Sequence, residues 1–450
     1  MKPAFPQRPL SAPIAIAGGG LLGMVLALRL AEAGLPVTLV EAAERTGGLA
    51  TSDTLDGHVC DRFYHVVLPS DRHTRGLLRT LGLESRLQWG RSSTGFYVDG
   101  AWSSMSNLIQ FLRFPPLSLI DLMRLGGTIW WASRIRRGEP LEKITAVDWL
   151  TRWSGRKVVD TIWRPLLESK LGEQAPQVNA AFIWATMVRM YAARKAGLQR
   201  EQLGWIEGGY AGVIGALDAR LDSLGVKRLT GARIAAISGH DAGARITLTD
   251  GAQLDTSGVV STLPVPVFAS VCQGLPDALR TRLSRVLTQG VICPTLLLER
   301  PLSPYYITNI TDRWVPFTGI IEMSALVGTE RFGGRSLVYL PIYLPQDSPR
   351  WQEEDASLLA HSIAALERMV PGFEGSQVKA SRVARARHVF AVPTLHYSRD
   401  VRPALETGVP HVFQLTSAQI VNGTLNVDET IALVETHCQD LIRALTQHAR

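Results

Sequence analysis

Cysteine is scarce in this 450-residue sequence, and Cys60, Cys272, Cys293 and Cys438 stand far apart. They form no C-x-x-C pair and no His–Cys ligand spacing, which excludes a disulfide framework and offers no zinc site. A cytoplasmic, reducing setting is therefore expected. Long apolar runs are missing too: no stretch reaches the roughly 18 uncharged residues that a membrane-spanning helix needs. Lys2 and Arg8 precede an apolar run from Ile14 that three glycines, Arg29 and Glu32 interrupt, so no signal peptide is expected. Dense Lys/Arg blocks are absent. The formal charge of +7 comes mostly from scattered arginines, with a cluster only at Arg134, Arg136 and Arg137, so the surface reads as solvated and nucleic acid is not an expected partner. Nor is there a Ser/His/Asp array or a metal-ligand constellation to support hydrolysis.

What is present points to a large packed interior. Hydrophobic residues make up 46% and charged residues 19%, which excludes disorder and coiled coil. The length calls for more than one subdomain around separate cores. The 40 glycines and 25 prolines predict many tight turns.

The most informative segment lies near the start. Ile14–Ala17 reads as a buried parallel strand, followed at once by Gly18-Gly19-Gly20-Leu21-Leu22-Gly23, a G-x-G-x-x-G pattern. An apolar helix runs to Ala33 and stops at Gly34, and a second strand, Pro36 to Val40, ends in Glu41, 23 positions after Gly18. That register is the dinucleotide fingerprint. Gly18 permits the tight turn, Gly20 lets the backbone approach a pyrophosphate, and Gly23 allows close helix–strand packing. The helix N-terminus offers unpaired N–H groups and a positive dipole end. Glu41 suits ribose hydroxyls and would repel a 2′-phosphate. No second G-x-G-x-x-G is present to hold a nicotinamide cofactor.

Glu44-Arg45-Thr46-Gly47-Gly48-Leu49-Ala50-Thr51 resembles the segment after the second strand in FAD enzymes of the amine oxidase superfamily, which includes protoporphyrinogen oxidase, phytoene desaturase and UDP-galactopyranose mutase. The resemblance implies an α/β fold: a Rossmann-like FAD/NAD(P)-binding domain with an interleaved substrate domain made of an antiparallel sheet and a helical subdomain. It implies FAD as cofactor, with Gly47, Gly48 and Leu49 against the pyrophosphate and Arg45 offering donors to phosphate oxygens. Asp61-Arg62-Phe63-Tyr64-His65 is similar to the Phe-His element of the galactopyranose mutases. His65 is then either a group beside the flavin or an ordinary core histidine.

The expected organisation is FAD-binding segments at 1–90, 201–264 and 391–450, a mainly helical lid at 91–200 and a substrate-domain sheet at 265–390. Lys170, near the end of a helix closed by Gly172, either holds a water near the flavin or is a solvated last-turn lysine, the simpler reading. Residues 116–137 combine leucines, Trp130 and Trp131 with the arginine cluster. They make either the lid of an apolar pocket or a peripheral membrane contact at the inner face of the membrane. Gly208-Gly209 opens the return to the nucleotide domain, and Ile234 falls where the superfamily's backbone meets the adenine. Near the end, many members carry Gly-Asp, whereas this chain has Ser417-Ala418-Gln419, leaving Leu425, Asn426 and Val427 to contact the flavin.

The resemblance implies an oxidoreductase that passes a hydride from a C–H bond of an apolar small molecule to the flavin. Two other functions stay open: a mutase-like flavoenzyme with no net redox, motivated by Phe63-Tyr64-His65, and an FAD-binding protein without turnover. Oligomeric state is left open.

Overall fold

A computed structural model describes residues 12–105, 108–192, 202–421 and 425–447. Parts of the helical stretch to Arg200 and of the loop from Thr416 to Asn426 lie outside the described residues.

Ile14–Ala17 and Val37–Val40 are short, β-rich and wholly buried, the pattern of parallel strands covered on both faces. They lie inside a five-stranded parallel sheet in the order Val412–Gln414, Gly258–Ser261, Ile14–Ala17, Val37–Val40, Lys227–Leu229. Three widely separated chain segments therefore complete one nucleotide-binding layer. The helix Leu21–Glu32 is buried on nearly every face because Gly209–Ser223 and Val427–Gln447 pack around it. The opposite face is covered by a three-stranded antiparallel sheet, Ile234–His240, Gly243–Leu248 and Gln253–Thr256.

The second layer is an eight-stranded sheet built around Thr288–Leu298, which is buried along almost its whole length and pairs with Ser336–Tyr339, Ile342–Pro345 and Val378–Ala391. Two expectations change here. The sheet is not wholly antiparallel, because Ile307–Ile310 pairs in parallel with Thr94–Val98. The segment 91–200 is also not helical from its start: Thr94–Val98 and Ala101–Ser104 form a hairpin whose Asp99-Gly100 turn has positive φ at both residues, and this hairpin extends the substrate sheet. Beyond it the helices Leu119–Ala132, Ala146–Ser154, Arg164–Leu171 and Ala180–Ala192 gather a core of their own.

Candidate active site

A cavity of about 580 Å³ opens between the parallel sheet and the substrate sheet. That size lies within the range of small-molecule and cofactor sites. Gly18, Gly20, Glu41, Gly47, Gly48 and Leu49 line one end, while Lys170, Thr288, Val291, Tyr343, His388 and Phe390 line the other. His65, Arg189 and Leu425 to Val427 also line it.

The glycine loop is shaped by close backbone approaches. Gly18 has φ +112, and a Cβ there would stand 2.6 Å from Thr262 Oγ1. That hydroxyl donates to the Ala17 and Gly18 carbonyls at 3.1 and 3.0 Å, tying the loop to the neighbouring strand. Gly48 has φ +57, and a Cβ on it would meet Gly20 Cα at 2.9 Å, so the two glycine segments can touch only as glycines. Gly47 N donates to Gly19 O at 2.8 Å and closes the contact. Gly23 lies behind the loop, where its Cβ would strike the Gly18 carbonyl, in keeping with a packing role.

Glu41 accepts from Gly19 N at 2.7 Å and from Ala43 N at 2.8 Å. An ionised carboxylate has about four acceptor sites, so it fixes the loop and keeps capacity for ribose hydroxyls. Arg45 sits elsewhere: it is exposed, pairs with Asp53 at 3.1 Å and lines a separate surface cleft. Asp53 also holds Arg62 and Arg382, and the hydrogen bond from Arg62 keeps its carboxyl below the usual range. Ile234 begins an outer strand and does not line the cavity.

At the far end, Asn426 Oδ1 accepts from Glu429 N at 3.0 Å, capping the 21-residue helix Val427–Gln447 beside the cavity. Val427 and Thr430 of its first turn line the wall, so the positive end of the dipole faces the site. Gln419 is buried and accepts from Thr416 N at 2.9 Å. It pins the loop, while Thr416, Ser417 and Ala418 form the wall.

Lys170 stands in the last turn of its helix and lines the cavity. A π-helical turn, Val159–Trp163, precedes the helix Arg164–Leu171, a device that often re-aims side chains at functional sites. Its ammonium lies 5.4 Å from the Tyr343 ring, 5.7 Å from Phe390 and 6.0 Å from Phe182, within cation–π range of all three. His65 lines the cavity with its ring 4.7 Å from Tyr210, and burial pulls its imidazole below the usual histidine range against the raising effect of Asp61.

Three wall residues were not legible in the sequence. His388 pairs through Nδ1 with Thr288 Oγ1 at 2.9 Å, and burial lowers its pKa. It stands in an alternating strand that gave no signal beyond ordinary pleating. Arg189 reaches Asp71 with two bonds of 2.8 and 3.0 Å, linking the helical insert to the nucleotide domain. Phe390 sits two residues beyond His388, where the pairing of this strand shifts register, and lines the cavity beside it.

The residues present suit a flavin nucleotide: a cradle closed to any Cβ at Gly48, an acid at the ribose position, and a helix N-terminus at the opposite end. The architecture is that of a two-domain dinucleotide-binding flavoprotein. The family model described as flavin containing amine oxidoreductase matches residues 23–424. The chain belongs to that family, a class of oxidoreductases whose cofactor is FAD.

A hydroxysqualene dehydroxylase of Sinorhizobium fredii is 35% identical over 86 residues, 19% of this chain and 21% of that protein. Curated relatives are thus matched over only part of their length. Among solved structures, a proposed protoporphyrinogen oxidase from Exiguobacterium sp. 255-15 superposes with a TM-score of 0.75 at 19% identity, covering 96% of this chain and 99% of that one. A reduced UDP-galactopyranose mutase superposes with a TM-score of 0.73 at 16% identity, covering 98% and 97%. At such identities these structures establish the fold.

Proposed function

We propose that the protein oxidises a predominantly apolar small molecule bound between its glycine loop and its substrate sheet. The observation that carries this reading is the continuous cavity, with a nucleotide cradle at one end and Val291, Tyr343 and Phe390 at the other. Gly18, Gly20, Glu41, Gly47, Gly48 and Leu49 would hold the FAD pyrophosphate and ribose, and Leu425, Asn426 and Val427 its ring end. Bound FAD supplies the hydride acceptor. The aromatic wall orients substrate and keeps water out, and Lys170 holds a water or a polar substrate group among the three rings. His65 and His388 are the groups able to exchange protons near neutral pH. An apolar substrate agrees with the dehydroxylase relative, which is named for hydroxysqualene.

Anaerobic mixing of flavin-loaded protein with polyprenoids, porphyrinogens, amines and nucleotide sugars tests this. Bleaching of flavin absorbance by an apolar donor is expected. Turnover of a nucleotide sugar with no acceptor consumed would overturn it in favour of the mutase-like reading, which Phe63, Tyr64 and His65 at the cavity wall motivate. Binding of FAD with no turnover of any donor would favour a carrier.

The helix Leu119–Ala132 buries Leu122 and Leu125 against Phe96, Val98 and Phe114 and Ala132 on the helical core, yet exposes Leu119, Ile120, Met123, Trp130 and Trp131. Ile109, Leu112 and Trp153 are also exposed, Trp131 stacks on Trp153, and Arg134 lies 3.7 Å over Trp130. An apolar face edged by arginine fits the surface of an anionic bilayer at the cytoplasmic side. None of the described helices is long and apolar enough to cross a membrane. In flotation with vesicles, replacing Met123, Trp130 and Trp131 by Ser is expected to abolish binding to anionic vesicles, and unchanged flotation would refute the contact.

A further inference from the structure

Beside His65 lies a second, smaller hollow of about 120 Å³, lined by Asp61, Tyr64, His65, Trp205, Tyr210 and Tyr339 among others. Tyr64 and His65 also line the large cavity, so these two side chains form the partition between the spaces. Val59, on the wall of the hollow, is 56% exposed, which places one end of the hollow at the surface.

Two of the lining residues carry orphaned polar atoms. His65 Nδ1 and Tyr210 Oη are buried and have no hydrogen-bond partner in the protein, although the two rings are in contact. A buried polar group left unsatisfied costs about 1–3 kcal/mol. Two such groups beside the Asp61 carboxylate make a hydration site at the polar end of the hollow, and 120 Å³ has room for about four waters. The geometry around them is built. Asp61 Oδ1 accepts from Tyr210 N at 2.9 Å and from Ser52 Oγ at 2.8 Å, and Gly209, at φ +69, lets the helix start come that close: a Cβ there would lie 2.8 Å from the same oxygen.

We propose that this hollow holds ordered water bonded to His65 and Tyr210, and that His65 passes protons between this water and the large cavity. The imidazole accepts a proton from water on one ring nitrogen and releases the proton carried by the other into the large cavity. One N–H bond forms as the other breaks, the ring ends neutral, and bulk solvent restores the proton through the open end. The reverse direction removes a proton from the site. Tyr210 and Asp61 are positioning residues. Burial lowers the imidazole's pKa against the raising effects of Asp61 and of a hydrogen bond to the Phe63 backbone, which favours the neutral state with one donor and one acceptor nitrogen that a relay requires. The charged and titratable groups around the His65–Tyr210 pair are Asp61 from strand His58–Asp61, Asp71 at the start of helix Arg72–Thr80, Arg189 from the helical insert and Asp428 from the last helix. Tyr339 and Arg382 approach Asp61 from the substrate sheet.

The relay rests on the proposed flavin site, whereas the hydration of the hollow does not. A crystal structure of the FAD-loaded protein is expected to show water bonded to a His65 ring nitrogen and to Tyr210 Oη; a dry hollow would overturn the proposal. The second measurement needs no substrate: photoreduced protein is reoxidised by ferricenium, two ions taking the two electrons while the proton leaves the site. His65→Gln and Tyr210→Phe are expected to slow this about tenfold or more and to change its pH profile and solvent deuterium isotope effect. Unchanged profiles in both flavin-loaded variants would refute the relay. Failure of the wild-type protein to retain any flavin would instead refute the cofactor site and leave the crystallographic arm to judge the water.

Discussion

At the scale of single residues, function depends on where a side chain is forbidden and where a charge is buried. Gly48 is the sharpest case: Ala there would carry a Cβ into Gly20 at a left-handed backbone position. Gly48→Ala is expected to lower the flavin-to-protein ratio by about tenfold or more while costing roughly 1–3 kcal/mol of stability, read from the bound-flavin spectrum and urea unfolding. His65 gives a pH signature. Its folded-state pKa is depressed, so the unfolded chain binds the proton more readily, and stability falls as pH drops through about 6.5 toward the folded value. His65→Gln should flatten urea-unfolding stability in that window, and an unflattened curve would count against a buried neutral imidazole. Gly18, Gly20 and Glu41 were legible from the spacing of the fingerprint, and Gly47 and Gly48 from the resemblance of the segment that carries them. Arg45 was not, since nothing local announces that Asp53, eight positions on, captures its guanidinium.

At the scale of elements, the helical insert is fastened to the nucleotide domain by the Arg189–Asp71 pair. The Asp71 side chain is only 4% exposed, and burial raises its pKa despite Arg189. Arg189→Ala therefore strands a carboxylate in the interior, with an expected loss of about 3–5 kcal/mol. Asp71→Asn in the same background should restore part of that, and additive losses in the double-mutant cycle would refute the coupling. The elements of the first 50 residues were readable because buried parallel strands show as continuous apolar runs bounded by glycine. The hairpin at 94–104 was absorbed into a helical reading, although its Asp99-Gly100 pair after the β-rich run Phe96-Tyr97-Val98 carries the signal of a type I′ turn. The parallel pairing of Thr94–Val98 with Ile307–Ile310 joins residues more than two hundred positions apart, and no local pattern encodes such a contact.

At the scale of the whole molecule, the cavity draws on the glycine loop, the Phe63–His65 segment, the helical insert, the substrate sheet and the C-terminal helix. A ligand that touches all of these and binds only the folded chain stabilises it by about 2.7 kcal/mol at a free concentration one hundred times its Kd. FAD addition to apoprotein is thus expected to raise Tm in a concentration-dependent way, and an unmoved Tm would refute a site assembled from distant segments. The two-layer plan was foreseeable from the resemblance carried by residues 14–65. The part of the wall made by His388 and Phe390 was not, because the facing of a strand in a sheet depends on partners that only the tertiary fold supplies.

The order of the parallel sheet has a further consequence for biosynthesis. The strand Val412–Gln414 fills an edge place beside Gly258–Ser261, and the wall residues Thr416 to Ala418 and Leu425 to Val427 follow it in the chain. A nascent polypeptide emerging from the ribosome carries its glycine loop early, yet has neither this edge nor the helix Val427–Gln447 until long afterwards. Cofactor capture is then expected to wait until that helix has emerged, and the supply of FAD at that moment would set how much of the polypeptide matures.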